Sequence, residues 1–167
     1  MKKQIFSALA IGVIAITACN KKEVTPPAPG AATIEGSIKA PIDLSNDTTQ
    51  VGVFISGLKN EGALSGTLIT AVIDTEDLQD NPQAGYTYEK IIRTTTIGSD
   101  GSFKFTDIPA YAKSIPVTLK FNDFQTNQKQ FDTANNPDIK KTYTLSNDAV
   151  MVYKGAVVIK EYTYTAN

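Results

Sequence analysis

From Thr33 to the C-terminus, apolar and β-branched residues recur at every second position, in short runs interrupted by Gly, Pro, Asn and Asp. A period of two puts alternate side chains on opposite faces of an extended chain. Each run can therefore bury one face in a sheet, and none has the 3.6-residue spacing of an amphipathic helix. Thr33–Lys39 sets Ile34, Gly36 and Ile38 against Thr33, Glu35, Ser37 and Lys39, and Val51–Leu58 aligns Val51, Val53 and Ile55. In Thr67–Asp74, Leu68 and Val72 share one face while Ile69, Ala71 and Ile73 share the other, as in a strand covered on both sides. Tyr86–Ile97, Ser102–Thr106, Ile115–Phe121, Thr142–Ser146 and Ala149–Thr163 follow. Seven or eight such strands with turn signals between them predict an all-β fold, a single antiparallel β-sandwich over 33–167.

Two glycine positions punctuate the runs. Asp100-Gly101 supplies the positive φ of a tight hairpin, and Lys154-Gly155, inside the last long run, reads as a second hairpin in preference to a bulge. No internal repeat indicates a solenoid or propeller.

The chain has one cysteine, Cys19, and no histidine. These absences exclude Cys/His zinc sites, histidine general bases, and Ser-His-Asp or Cys-His nucleophile systems. No disulfide can form within the chain, so the fold must hold by burial and sheet hydrogen bonding. A non-catalytic protein without a cofactor is expected.

The N-terminal segment has a different logic. Lys2 and Lys3 precede an apolar run, Ile5–Ile16, which is shorter than the roughly 18–20 residues needed to span a bilayer. The run ends in Ile16-Thr17-Ala18-Cys19, which resembles the bacterial lipobox: an aliphatic residue, two small residues and the cysteine that is acylated. The resemblance implies a signal peptide over 1–18, palmitate-type lipidation at Cys19, and a membrane partner engaged through lipid alone. Each buried CH2 of an acyl chain contributes about 0.8 kcal/mol, so several chains anchor stably. Asn20–Ala32, with three prolines and a glycine, reads as a tether, giving segments 1–18, 19–32 and 33–167. Loss of 1–18 shifts the formal charge from −1 to −3. That acidic balance argues against nucleic acid as a partner.

Thr94–Phe121 resembles the carboxypeptidase regulatory-like, or transthyretin-like, β-sandwich domains. Thr94–Thr96, Asp100-Gly101, Phe103 and Phe105, Ile108-Pro109, and Val117–Phe121 match that family's strand, hairpin, aromatic-x-aromatic strand, corner and apolar strand. Pro109 is expected to end pairing at the corner. Ala40–Gln50 replaces the family's Gly-x-Pro turn, so an Ig-like or fimbrial-type sandwich fits the same runs. The resemblance implies an accessory, structural or binding module with no catalytic residues.

Candidate sites are few. Asn122–Lys141 is rich in amides, and Phe124, Asn127, Phe131, Asn135 and Asn136 could bind a protein or glycan ligand; the plainer reading is a long surface connection pinned by its two phenylalanines. Asp74, Glu76, Asp77 and Asp80 offer the hard oxygen donors that Ca2+ prefers, but not at EF-hand spacing, and a solvated acidic loop is the plainer reading. Tyr86 with Tyr88, and Tyr162 with Tyr164, would form an aromatic patch if their strands were neighbours. The chain thus reads as a lipid-anchored protein of the cell outer membrane, similar to the small lipoproteins of Bacteroidota, carrying a non-catalytic binding or assembly module. A fimbrial-type subunit using β-augmentation and a glycan-binding accessory protein are the alternatives.

Overall fold

The computed structural model describes residues 30–132 and 134–167. The signal segment, Cys19 and most of the tether lie outside the described residues. Eleven strands run in chain order among them: β1 (Gly30–Ala40), β2 (Glu61–Gly62), β3 (Leu68–Asp74), β4 (Lys90–Thr96), β5 (Ser102–Ala110), β6 (Ile115–Phe121), β7 (Phe124–Gln128), β8 (Ile139–Thr144), β9 (Asp148–Val152), β10 (Val157–Thr163) and β11 (Thr165–Ala166). The only helical turn among the described residues is Leu44–Asn46.

One sheet centres on β1, with β10 on one side and β5 then β2 on the other. The facing sheet has the order β4-β3-β6-β9. Alternate residues of each inner face meet in the core: Ile34 and Ile38 of β1, Phe103 and Phe105 of β5, Ile69, Ala71 and Ile73 of β3, Val117 and Leu119 of β6, and Val150 and Val152 of β9 are all buried. Burying an aliphatic or phenylalanine side chain of this kind stabilises the fold by roughly 1.5–3 kcal/mol before entropy is charged. A third sheet has the order β11-β8-β7, with β7 following β6 and β11 following β10 in the chain. Inside it Phe124 stacks on Tyr143, with ring centroids 4.8 Å apart, and Tyr164 donates to the Asn122 carbonyl at 2.7 Å.

Several expectations are revised by this arrangement. β1 begins at Gly30, inside the stretch read as tether, and pairs Ala31 with Pro109; Ala32 is already buried. β1 and β10 run parallel, with Ile34 opposite Val158 and Ile38 opposite Tyr162, so the sandwich is not purely antiparallel. The two strands are far apart in sequence, so no short connection dictates their direction, and this register keeps both inner faces in phase. β3 buries only Ile69, Ala71 and Ile73, while Leu68 reaches the surface.

The turn at Asp100-Gly101 forms with φ +81° at Gly101, and a Cβ there would strike the Ile38 carbonyl and the Gly62 Cα. It is not a hairpin between paired strands, because β4 belongs to one sheet and β5 to the other. Lys154-Gly155 likewise crosses between sheets, from β9 to β10. Pro109 does not end pairing. It sits within β5, whose only partner strand among the described residues is β1, so its missing N–H can face the unpaired side.

Val51–Leu58 is not a strand of the sandwich. It forms an arm in which Thr48 bridges Phe54 and the tip lies at Gly52, with Val51 and Val53 exposed at 87% and 57%. The base of the arm is polar. The fully buried Asp47 carboxylate accepts the backbone N–H groups of Gly57 at 2.7 Å and Lys59 at 2.6 Å.

Candidate functional site

The residues Phe124, Asn127, Phe131, Asn135 and Asn136 do not form one site. Asn122–Lys141 is not a single loop, since it supplies β7 and the start of β8. Phe124 is buried against Tyr143 and Tyr164 and is unavailable to a ligand, because β7 turns its side chain inward. Asn127 lies exposed on β7. Phe131 stacks on Phe54 of the arm at 4.6 Å and stays 54% exposed. Asn135 and Asn136 occupy an exposed turn in which both backbone N–H groups donate to the Asp132 carbonyl.

The acidic residues fold locally instead of converging. The Asp74 carboxylate accepts the Glu76 N–H at 3.1 Å, and the backbone turns Asp74–Asp77 and Glu76–Gln79 carry Glu76 and Asp80 to the surface. Among the described residues no three Asp, Glu, Cys or His side chains are grouped so as to hold a metal ion.

The tyrosine pairs part company. Tyr164 is a core residue, and the half-buried Tyr162 packs against the core: it lies on Phe121 at 4.8 Å and donates to Asp148 at 2.7 Å, where Lys160 also pairs at 3.1 Å. The Tyr162 hydrogen bond, helped by Lys160, holds the Asp148 carboxyl below its ordinary value. Burial, and then the hydrogen bond to Asp148, pushes the Tyr162 phenol well up. These contacts fasten β10 to β9 across the sandwich and leave nothing for a ligand.

Tyr86 and Tyr88 belong to neither strand. They lie in Thr75–Glu89, the loop joining β3 to β4, and no common aromatic patch with Tyr162 and Tyr164 exists. At about fifteen residues this loop exceeds the usual hairpin connection, and loops of such length in compact domains are usually functional or disordered. Here it is tied. Thr75 donates to the Glu89 carbonyl through both N–H (3.0 Å) and hydroxyl (2.7 Å). Tyr88 Oη accepts the Gln83 N–H at 2.7 Å, the Tyr86 N–H donates to the Gln83 carbonyl at 3.3 Å with Gly85 at φ +80° between them, and Lys113 Nζ reaches the Gln79 carbonyl at 2.6 Å. The result is a cleft of about 420 Å3, bounded by Gln79, Asn81, Gln83, Tyr86, Tyr88 and Glu89.

A hollow of similar size lies against Glu35, Lys104 and Ile159, but there Glu35 and Lys104 satisfy each other at 2.7 Å. The β3–β4 loop is therefore the stronger candidate site.

No family model matches the chain, and no curated protein matches its sequence. Two solved structures are similar in shape. The minor pilin GBS52 of Streptococcus agalactiae aligns at 10% identity and TM-score 0.43, over 84% of this chain and 46% of the pilin, so the chain spans about half that protein's length. PA1324 of Pseudomonas aeruginosa, a protein proposed to bind carbohydrate, aligns at 13% identity and TM-score 0.39, over 81% of this chain and 90% of that one. At these levels neither likeness carries a functional inference.

Proposed function

We propose that the chain is a lipid-anchored protein of the bacterial outer membrane whose β-sandwich is a non-catalytic binding or assembly module. The observation that carries this reading is Ile16-Thr17-Ala18-Cys19, placed directly after a short apolar run and two lysines. Two features support it. The sandwich starts at Gly30, soon after Cys19, so a short Pro-rich segment joins lipid to domain. The absence of histidine, and of any cysteine besides Cys19, removes the commonest nucleophile and general-base systems.

Metabolic labelling with a clickable palmitate tests the anchor. Wild type takes up label and stays in the membrane fraction, whereas Cys19→Ser is unlabelled and either unprocessed or soluble. Label that persists in Cys19→Ser refutes it. Protease shaving of intact cells then decides which side of the outer membrane the domain faces.

A second reading, a structural subunit that joins others by strand addition, is favoured by β10. Among the described residues this strand pairs only with β1, and Val157 and Ile159 along it are exposed. Ladders of cross-linked species on cells would support that reading, and a purely monomeric protein would count against it.

A further inference from the structure

We infer that the cleft of the β3–β4 loop binds a neutral oligosaccharide, an inference that rests on the reading of the sandwich as a non-catalytic binding module. Tyr86 is 64% exposed, and Tyr88 holds it edge to face, with centroids 4.8 Å apart and planes inclined at 64°. A tyrosine fixed in this way offers a flat apolar surface to the C–H face of a pyranose ring, with little side-chain entropy left to lose on binding. Around it stand Gln79, Asn81 and Gln83. Each primary amide both donates and accepts, as sugar hydroxyls do, and all three are exposed. The volume of about 420 Å3 suits one or two sugar rings.

Charge selects among sugars. Glu89 lines the cleft, Glu76, Asp77 and Asp80 belong to the same loop, and the ammonium of Lys113 is held by the Gln79 carbonyl. Uronate-bearing or sulfated chains would meet like charge. The cleft is also at the end of the sandwich where the chain enters. Lys113 follows β5, whose last residue, Ala110, pairs with Gly30. A glycan in the cleft could thus come from the envelope beneath the domain or from outside the cell.

Native affinity electrophoresis of the full chain, extracted from membranes in mild detergent, tests the inference. Gels contain dextran, mannan or laminarin as free neutral polysaccharides, a neutral O-polysaccharide freed of lipid A as an envelope glycan, or polygalacturonate. At least one neutral glycan should retard the protein, and which of them does so distinguishes the two sources. Tyr86→Ala should weaken the retardation at least tenfold with an unchanged melting temperature, while Phe131→Ala should leave it intact. Failure of every neutral glycan to retard the protein, stronger retardation by polygalacturonate, or full retention by Tyr86→Ala overturns the inference. New reducing ends in a retarding gel would instead overturn the non-catalytic reading and leave the cleft standing. Loss of palmitate label bears on the anchor alone.

Discussion

Asp47 and Val53 lie six residues apart on the same arm, yet substituting them should have opposite consequences. Asp47→Ala removes an acceptor that takes two backbone N–H groups at 2.7 and 2.6 Å from a fully buried position. Hydrogen bonds to a charged group contribute roughly 1.5–3 kcal/mol each. Gly57 is half-buried and Lys59 exposed, so water can reach the freed donors and the lower end applies. The expected loss is about 3 kcal/mol for the two bonds together. Asp47→Asn keeps one acceptor oxygen but turns an N–H toward the second donor, and should recover less than half of that loss. Val53→Ser, by contrast, alters a side chain 57% exposed and should fall within about 0.5 kcal/mol of wild type. Urea unfolding gives both numbers, and amide exchange at Gly57 and Lys59 should accelerate in Asp47→Ala alone. A loss below about 1 kcal/mol for Asp47→Ala, or above about 1 kcal/mol for Val53→Ser, would refute the view that the arm is held by its polar base and not by its aliphatic face.

Phe124→Ala should cost about 3–5 kcal/mol, against about 1 kcal/mol or less for Phe131→Ala; paired melting curves check the contrast. Gly36→Ala would place a methyl against the backbone carbonyl of Lys160 and should detach β10 from β1, seen as lost amide-exchange protection in both strands. Burial raises the phenols of Tyr143 and Tyr162, and brings Tyr164 to about 12. A raised folded pKa means that this stability is complete below the ordinary tyrosine value of 10 and is lost as pH climbs toward the folded values, so absorbance at 295 nm from these three should appear late and together with unfolding. Asp148 has the opposite sign: its stability is present above the ordinary aspartate value of 3.8 and is lost as pH falls through its depressed folded value, a dependence that Asp148→Asn should remove. Dialysis against EDTA should leave the melting temperature unchanged, whereas a fall of several degrees restored by Ca2+ would make Asp74–Asp80 a binding loop.

Period-two reading located the inner faces of β1, β5 and β6 because their alternation is carried by aliphatics and phenylalanines that have nowhere else to go. Ile34 and Ile38, Phe103 and Phe105, and Val117, Leu119 and Phe121 are all in the core. The same reading failed where another residue type carried the pattern. β7 buries Phe124 and Gln128, the latter by donating its amide to the Pro41 carbonyl at 2.7 Å, and β8 buries only Tyr143. An amide and a phenol in core positions leave little hydropathy signal, so β7 and the first half of β8 looked like loop, and only Thr142–Ser146 read as strand. Val51, Val53 and Ile55 alternate as well as any strand, but Asp47 captures the backbone N–H groups of Gly57 and Lys59 and ties the arm down outside the sheets. No hydropathy pattern encodes that competition between a carboxylate and a sheet ladder.

The candidate site was half legible for a related reason. Tyr86 and Tyr88 can be read from the sequence as a pair on one side of an extended chain, and the structure keeps them together, edge to face. What the alternation hid is that β4 starts only at Lys90, because Thr75 closes the loop on the Glu89 carbonyl and leaves Tyr86–Glu89 outside the ladder. Had Tyr88 entered the sheet, its hydroxyl could not accept the Gln83 N–H, and the amides of Gln79, Asn81 and Gln83 would have no ring to surround. The sequence signal in this loop is its acids, Asp74, Glu76, Asp77 and Asp80, which read as a solvated turn or a Ca2+ loop, whereas the exposed amides of Gln79, Asn81 and Gln83 suit hydrogen bonding to neutral hydroxyls. Residue type announced a polar loop. Only the cross-loop bonds, which fix where each side chain stands, turn that loop into a cleft with an aromatic floor.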